Sequence, residues 1–488
     1  MSARPAAYDA GMQSTTTAAH WLERFGVDEA VCRRVLGAAL GRGAGAGDLY
    51  FQRVEQCSLV LEDGIVSRAS TAVDRGAGIR AVQGDQTGFA YSEELTEPAL
   101  AAAARSAASI ATGSGGTATP LGRPGKARGL YTTLLPWGEV ALEKKLAIIR
   151  AVEARLRSAD PRVVKVRVSW MDTDEEVALV AHDGRVMADT RPMAVLGASV
   201  TMADGEKLES NHSSLAGRHD LGWFDAARIE AFCADLVART SILFEAKKPP
   251  AGEMPVVLAA GASGILLHEA IGHGLEADHN RKGISIYSDK VGAKVAEPIV
   301  TVVDSGLHAG ERGALEFDDE GYAAERTVLI GGGVLEGYLH DAISAKHYGV
   351  RPTGSGRRES FRHVPMPRMR CTYMENGPHT RDEVVAAVKN GVVCENFGNG
   401  QVQIGAGDFT FFVKNGWLVE DGRITAPIKD VNIIGNGPTA LARITMVAND
   451  MKLDTGGWTC GKEGQSVPVS QGMPTVLVSS LTVGGSRG

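Results

Sequence analysis

Two histidines and a glutamate lie close together near the middle of the chain, at His268, Glu269 and His273. When two histidines are four residues apart on a helix, both imidazoles reach one metal ion, and a glutamate beside the first can activate water. Here the gap is five residues, which leaves the side chains of a regular helix about 140° apart. A π-bulge would restore the alignment, and Gly272 and Gly274 would tolerate it. The segment therefore predicts either a metal site on a distorted helix or an ordinary helix with surface histidines.

A third metal ligand is available far along the chain. Cys460 lies between glycines at 455–465, which predicts a loop whose backbone can turn the thiolate toward a metal. Two histidines and one cysteine leave the fourth position of a tetrahedral zinc ion open for water, as in catalytic sites. A strand at 255–259 is predicted to lead into the histidine helix, with Ser263 as its N-cap.

Helices and β-hairpins alternate in the first half of the chain. Apolar spacing predicts helices over 17–40 (interrupted at Gly26), 95–111, 137–159 and 220–245. Asp63-Gly64 and Asp183-Gly184 predict hairpin turns between strands. This mixture is typical of an α/β or α+β domain.

A domain boundary is predicted at 246–252, because Pro249 and Pro250 stop the preceding helix from continuing. The predicted domains are 1–248, for substrate and partner contacts, and 249–488, with the His-Glu helix and the Cys460 segment. Turn signals at 331–333, 415–416 and 421–422 predict a β-rich second domain that resembles a barrel or a sandwich. The predicted fold class is α+β, a mixed N-terminal domain followed by this β-rich one.

Composition excludes several classes of protein. A chain of 488 residues exceeds the size of one hydrophobic core, which requires at least two domains. A formal charge of -7 argues against direct binding of nucleic acid. The longest apolar stretch, 256–267, is too short to cross a membrane. Six scattered cysteines without paired spacing are typical of a reduced, cytosolic protein.

Four motifs resemble the TldD/PmbA (TldE) family of metallopeptidases over almost the whole chain. They are HEAIGHGLEAD at 268–278, FDDEG at 317–321, GSGRRES at 354–360 and CGKEGQSVPV at 460–469. The resemblance implies that His268, His273 and Cys460 bind zinc and that Glu269 is catalytic. It also implies a cytosolic peptidase acting on unfolded or flexible peptides, in a dimer with a TldE-type partner that lacks the His-Glu motif. A homodimer is the alternative assembly.

Other polar residues have two interpretations each. Glu276 and Asp278 could orient a ligand histidine or end a solvated helix. Asp318, Asp319 and Glu320 could form a polar or metal-binding cluster, or only an acidic turn. Four basic residues could bind a peptide carboxylate, stabilise developing oxyanion charge or belong to a mobile surface loop: Arg357, Arg358, Arg362 and His363. The stretch 456–463 nearly matches a phosphate-binding loop, but Glu463 replaces the required hydroxyl.

Two other functions are compatible with these residues. The same ligands can hold ferrous iron in place of zinc, as expected for another amide hydrolase, for example one with deformylase-like activity. A non-catalytic peptide-binding or assembly subunit is the second alternative, although such a protein needs neither Glu269 nor a complete ligand set.

Overall fold

The structure is a computed structural model that describes residues 18–113, 118–131, 133–403 and 406–484. Its α-helices are α1 (Ala18–Arg24), α2 (Glu29–Leu40), α3 (Glu97–Ala107), α4 (Leu142–Ala159), α5 (Ala226–Ser241), α6 (Ile265–Leu267), α7 (Ala277–Arg281), α8 (Ala342–Tyr348), α9 (Arg381–Ala386) and α10 (Gly437–Ala442). None of the helices in this described part of the chain combines the length and the apolar composition needed to span a membrane.

The strands of the first half are β1 (Ala46–Glu62), β2 (Ile65–Gln83), β3 (Gln86–Ser92), β4 (Val163–Ala181), β5 (Val186–Asp204) and β6 (Lys207–Gly217). The second half contains β7 (Gly252–Leu258), β8 (Val302–Ser305), β9 (Arg326–Gly331), β10 (Val334–Leu335), β11 (Gly356–Arg357), β12 (Met366–Pro367), β13 (Cys371–Met374), β14 (Asn390–Gln403), β15 (Asp408–Glu420), β16 (Arg423–Ile428), β17 (Val431–Asn436), β18 (Ile444–Val447), β19 (Lys452–Leu453), β20 (Thr459–Lys462), β21 (Gln465–Pro468), β22 (Ser470–Met473) and β23 (Val476–Gly484).

The first six strands form one antiparallel sheet in the order β3-β2-β1-β4-β5-β6. Alternate residues of a strand face opposite sides of a sheet. Odd-numbered residues of β1 pack against all five N-terminal helices, with α1–α3 over one end of the sheet and α4–α5 over the other. Even-numbered Tyr50 faces the other way and packs with Phe317 and Phe361 from the second half of the chain. The sheet therefore separates a layer of helices from the rest of the molecule.

Buried charges join this sheet to the second half. Arg80 lies 2.6 Å from both Asp48 and Glu320, and Arg191 Nη1 lies 2.7 Å from Asp319 Oδ1. Arg358 donates its backbone N–H to Asp319 at 2.9 Å and contacts Asp48 at 3.3 Å. We call these six residues the buried ion cluster: Asp48, Arg80, Arg191, Asp319, Glu320 and Arg358. Because buried charges need partners, the cluster fixes how the two halves meet.

The second half contains a mixed six-stranded sheet and a closed barrel. The sheet has the order β10-β9-β8-β13-β22-β19. The barrel runs β14-β7-β23-β17-β15, and the pairing of β14 with β15 closes it. One hydrophobic core is continuous between them. The expected α+β class is confirmed, with a barrel in the C-terminal part.

The distribution of strands supports a division of the chain near Lys248, which we retain as a proposal. The first sheet takes its strands from 46–217, and the other large sheets take theirs from 252–484. Pro249 and Pro250 lie in the connection between them. Prolines at this point prevent either neighbouring element from extending into the other.

Most predicted helices and turns occur where the sequence placed them, but Asn415-Gly416 is not a turn. Both residues lie inside β15, where the pairing with β14 is irregular. A Cβ on Gly416 would come within 2.4 Å of Val393 O, so glycine is required by close strand approach. The Asn415 side chain donates to Arg239 O and accepts from Asn211, which links the barrel to the first sheet.

A buried ion pair in the mixed sheet provides a stability test. Arg370 and Asp304 have fully buried side chains, and Asp304 accepts from Arg370 Nε at 2.7 Å and from Thr372 Oγ1 at 2.8 Å. We expect Asp304→Asn to lower the free energy of unfolding by about 1.5–3 kcal/mol, because one charged acceptor is lost. Urea denaturation measures this loss. Glu375→Ala removes the half-exposed partner of Arg326 and should cost less than about 1 kcal/mol. Equal losses in the two variants would contradict the prediction.

Candidate metal centre

The histidine segment is a helix that changes its winding three times. After β7, Gly261 adopts a φ of 92°, and a 3₁₀ turn (Ala262–Gly264) leads into α6. A π-helical turn (His268–Gly272) follows, and then a second 3₁₀ turn (His273–Leu275). This is the distortion that the five-residue spacing predicts. Ser263 does not cap the helix: it lies within the first turn, buried, and its hydroxyl has no partner among the described residues.

The π turn brings both histidines beside the cysteine. The ligand atoms of His268, His273 and Cys460 all lie within 4.8 Å of one another, and all three residues are buried. His273 Nε2 lies 3.5 Å from Cys460 Sγ. A sulfur and a nitrogen bound to one tetrahedral zinc ion are about 3.5–3.6 Å apart, given the usual bond lengths. No other group of three or more potential ligands meets this criterion in the described ranges.

The hydrogen bond of His273 Nδ1 to Glu276 leaves Nε2 as the nitrogen that can bind a metal. Its Nδ1 lies 2.9 Å from Glu276 Oε2, and Glu276 is completely buried. An ionised Glu276 accepts the proton of Nδ1–H, which leaves the lone pair of Nε2 directed at the cysteine. His268 differs, because its Nδ1 is buried without a hydrogen-bond partner in the described part of the chain. Two imidazoles, one of them with a buried ring nitrogen that lacks a partner, and a thiol together fit a zinc ion.

Lys462 neutralises the carboxylates behind the histidines. Its Nζ lies 2.7 Å from Asp278 Oδ1 and 3.0 Å from Glu276 Oε2, and its side chain is only 2% exposed. Burial tends to raise the pKa of Glu276, but Lys462 and His273 hold it well below its usual range. Burial tends to lower the pKa of Lys462, but the two carboxylates raise it. The predicted role of Glu276 in orienting a histidine agrees with this geometry, whereas Asp278 pairs with the lysine.

The surroundings of Cys460 favour the deprotonated thiolate. Burial tends to raise the pKa of Cys460, but the charge of His268 and hydrogen bonds with both histidines hold it well below the usual thiol range. The other five cysteines are also buried free thiols. Burial raises the pKa of Cys371 and of Cys394, for example, and no histidine offsets it. Only a deprotonated sulfur binds zinc, so Cys460 has the environment that a ligand requires.

Cys460 lies on a strand of a short hairpin, not in a loop as the glycines suggested. Its strand β20 pairs with β21, and Cys460 and Lys462 share the buried face. Arginine side chains hold the hairpin by its backbone oxygens. Arg368 donates to Cys460 O at 2.6 Å, and Arg357 donates to Pro468 O at 2.7 Å. The hairpin therefore presents its thiolate from a fixed backbone.

Close packing holds the π turn in place. A Cβ on Gly437, at the start of α10, would lie 2.1 Å from Ala270 O, and one on Gly272 would lie 2.0 Å from Met369 Sδ. A larger residue at Gly437 would meet the backbone of the π turn and force the turn to move, whereas a larger residue at Gly272 would have to displace the Met369 side chain. Helix α10 and Met369 therefore pack closely against the π turn.

Glu269 is the remaining member of the motif. It is partly exposed, unlike the histidines on either side of the π turn. Its carboxylate makes no hydrogen bond or ion pair with any described residue, so it is free to accept a proton from a ligand or from water.

The other basic and acidic candidates are occupied elsewhere. Asp319 and Glu320 belong to the buried ion cluster, and Asp318 accepts backbone N–H groups, so these three form a buried turn. Arg357 and Arg358 are buried, which excludes the surface-loop interpretation for both. Arg362 pairs with Asp74 and Glu93, and His363 Nδ1 lies 3.0 Å from Ser360 Oγ.

Sequence reasoning missed Lys462 and Arg368 as parts of the site. Lys462 lies within the near match to a phosphate-binding loop and within the motif at 460–469, and neither pattern indicates its contact with the carboxylates. A strand interpretation of 459–462 would have placed Cys460 and Lys462 on one face, because side chains alternate along a strand. No local pattern indicates that Arg368 contacts Cys460, since 92 residues separate the two.

Comparisons with known proteins match most of the chain. Models of the PmbA/TldA metallopeptidase family match domain 1 at residues 47–111, the central domain at 135–243 and the C-terminal domain at 251–485. A metalloprotease TldD homolog of Haemophilus influenzae is 41% identical over 454 residues, 90% of this chain and 93% of that protein. A zinc metalloprotease TldD homolog of Saccharolobus solfataricus is 28% identical and covers 70% of this chain, with 76% of its own length.

Two crystal structures share the fold. One, from Thermotoga maritima, has a TM-score of 0.75 at 21% identity and covers 95% of this chain and 100% of its own. The other is TldE from Thermococcus kodakarensis, with a TM-score of 0.71 at 19% identity, covering 94% of this chain and 99% of its own.

Proposed function

Because the chain belongs to the TldD/PmbA family of metallopeptidases, we propose that it is a zinc-dependent peptidase that cleaves unfolded or flexible peptides. The observation that carries this proposal is the convergence of His268, His273 and Cys460 beside an unpaired Glu269. Three protein ligands leave the fourth zinc position for water or substrate.

We propose zinc as the metal, with His268, His273 and Cys460 as its ligands. The separation of the sulfur and nitrogen atoms supports a tetrahedral ion, and one relative is named a zinc metalloprotease. Ferrous iron is the alternative, because histidine and thiolate ligands also suit it. Bound zinc supplies Lewis acidity, which polarises a carbonyl group and makes a water molecule more acidic.

Glu269 transfers the proton in the proposed reaction, and neighbouring side chains keep His273 in one orientation. Glu269 is the proposed general base: its free carboxylate takes a proton from the attacking water and passes it to the leaving amine. Glu276 holds the Nδ1 proton of His273, and Lys462 keeps Glu276 in position. The ligand histidine therefore keeps one orientation while the proton moves elsewhere.

We propose that the protein acts in the cytoplasm as the catalytic subunit of a complex. The support is the set of free cysteines, since a ligand thiol has to remain reduced. The proposed partner is a TldE-type subunit, and a second copy of this chain is the alternative.

Peptide cleavage under metal depletion tests the function. A flexible peptide is incubated with the chain, with and without a TldE-type partner, and its fragments are identified by mass spectrometry. We expect cleavage that a chelator abolishes and that added zinc restores. Release of formate from formylated peptides without chain cleavage would favour a deformylase-like enzyme. Absence of any cleavage by the zinc-loaded complex would favour a peptide-binding subunit.

A further inference from the structure

A seam between the first sheet and the second half of the chain runs beside the Cys460 hairpin. Three hydrogen bonds cross it, from Ala216 N to Thr455 O at 2.8 Å, from Gly457 N to Ser214 Oγ at 2.9 Å, and from Arg218 N to Gly310 O at 2.7 Å. Arg218 and Arg312 lie on opposite sides of this seam, 3% and 5% exposed. Binding sites often form where two domains meet.

Arg312 has a free guanidinium edge. Its Nε donates to Trp458 O at 3.1 Å, and its Nη2 makes only a long 3.4 Å contact with Thr459 Oγ1. Its Nη1 is buried and has no partner in the described ranges. The neighbouring carboxylate of Glu311 turns away and accepts from Ser470 Oγ. The two Nη atoms form the fork with which arginine binds a carboxylate through two parallel hydrogen bonds.

Arg218 adds a second positive charge without an ion-pair partner among the described residues. Its Nε has no hydrogen-bond partner, its Nη1 makes a 3.3 Å contact with Pro192 O, and its guanidinium lies 5.0 Å from the ring centre of Tyr131. Burial and the charge of Arg218 lower the pKa of Arg312 to about 10. Glu175 and Asp189 act on Arg218 without forming an ion pair with it. Two buried cations without a direct ion-pair partner are costly, and an anion bound to Arg312 would compensate part of the cost.

We propose that Arg312, supported by Arg218, binds a carboxylate group of the peptide substrate next to the bond that is cleaved. This inference rests on the proposed peptidase function and specifies its substrate. Thr459 is exposed, contacts the fork and directly precedes the ligand Cys460. Because Thr459 contacts the fork and Cys460 is the next residue, we place the bound carboxylate on a residue close to the cleaved bond. Either a free C-terminus or an Asp or Glu side chain can supply it.

Two matched pairs of flexible peptides separate these sources. In the first pair, a C-terminal acid is compared with the amide. In the second, an Asp near the cleaved bond is compared with Asn, and both peptides have amidated ends. For the wild-type protein we expect kcat/KM to favour the carboxylate member of one pair by about 10- to 100-fold.

Variants at Arg312 test whether this residue is responsible. Arg312→Gln should remove the preference, and Arg312→Lys, which keeps the charge without the fork, should retain part of it. Arg351→Gln, at an exposed arginine, is the control and should keep the preference. Thermal unfolding shows that each variant is folded. The inference is wrong if kcat/KM of the wild-type protein is the same for both peptides in each pair. It is also wrong if Arg312→Gln lowers kcat/KM equally for the two peptides of the pair that the wild-type protein distinguishes.

A binding measurement separates this inference from the peptidase proposal. Calorimetry compares an N-acetylated dipeptide acid with its amide for the wild-type protein and for Arg312→Gln. Suppose that the wild-type protein binds the acid more tightly than the amide, that Arg312→Gln does not, and that no peptide is cleaved. This result would support the carboxylate site and contradict the peptidase function. Cleavage with no preference in either pair would support the peptidase function and contradict the site.

Discussion

Replacing Glu269 by glutamine should lower the rate of peptide cleavage by about 10²- to 10⁴-fold, the usual contribution of a general base. The amide has nearly the shape of the carboxylate but cannot accept the proton of the attacking water. Glu269 contacts none of the three proposed ligands by a hydrogen bond, so the metal content should not change. Steady-state kinetics and metal analysis of the same sample measure both quantities.

The control for this variant is Glu463→Gln. Glu463 is exposed in the turn of the Cys460 hairpin. The substitution therefore changes the charge near the proposed metal site and leaves the His-Glu motif intact. We expect its cleavage rate to match that of the wild-type protein. Wild-type turnover by the zinc-loaded Glu269→Gln variant would exclude Glu269 as the base.

Two substitutions in the Cys460 hairpin should lower zinc affinity by different amounts. Cys460→Ala removes a proposed ligand, and we expect the purified protein to lose its zinc on dialysis. Lys462→Met keeps all three ligands but leaves Glu276 and Asp278 buried without their cation. Residues that support metal ligands typically contribute about 10- to 100-fold to metal affinity, so we expect a loss of this size.

Competition with a chromogenic chelator measures the affinity of each variant. Lys452→Met, at an exposed lysine, provides a matched control that should bind zinc as the wild-type protein does. Wild-type affinity in Lys462→Met would show that Glu276 orients His273 without help from the lysine. Full zinc retention by Cys460→Ala would remove the cysteine from the proposed ligand set.

Local patterns in the sequence predict much of this fold. Asp63-Gly64 and Asp421-Gly422 both form tight turns in which the aspartate and the glycine have positive φ. Asn415-Gly416 is a comparable turn signal, but close strand pairing and a hydrogen bond from Asn211 determine its structure. Turn propensity is a local property, and contacts between distant strands can override it.

The metal centre shows the same limit. The five-residue spacing of His268 and His273 makes a π turn one of two predicted outcomes, because helix geometry is local. The supporting residues depend on long-range contacts, such as those of Arg368 with Cys460 and of Lys462 with Asp278, which are 184 residues apart. Burial and charge pairing at such separations cannot be derived from periodicity. The sequence therefore predicts the chemical groups of the site better than their supports.

The ribosome synthesises the proposed ligands at different times. His273 and Cys460 are 187 residues apart, and a ribosome that adds about 5–20 residues each second makes that stretch in about 10–40 s. During this interval a nascent chain has two histidines but no thiolate to complete the set. In the proposed ligand set, zinc binding would therefore have to wait until Cys460 has been synthesised, and a polypeptide that stops before this residue would lack the complete set.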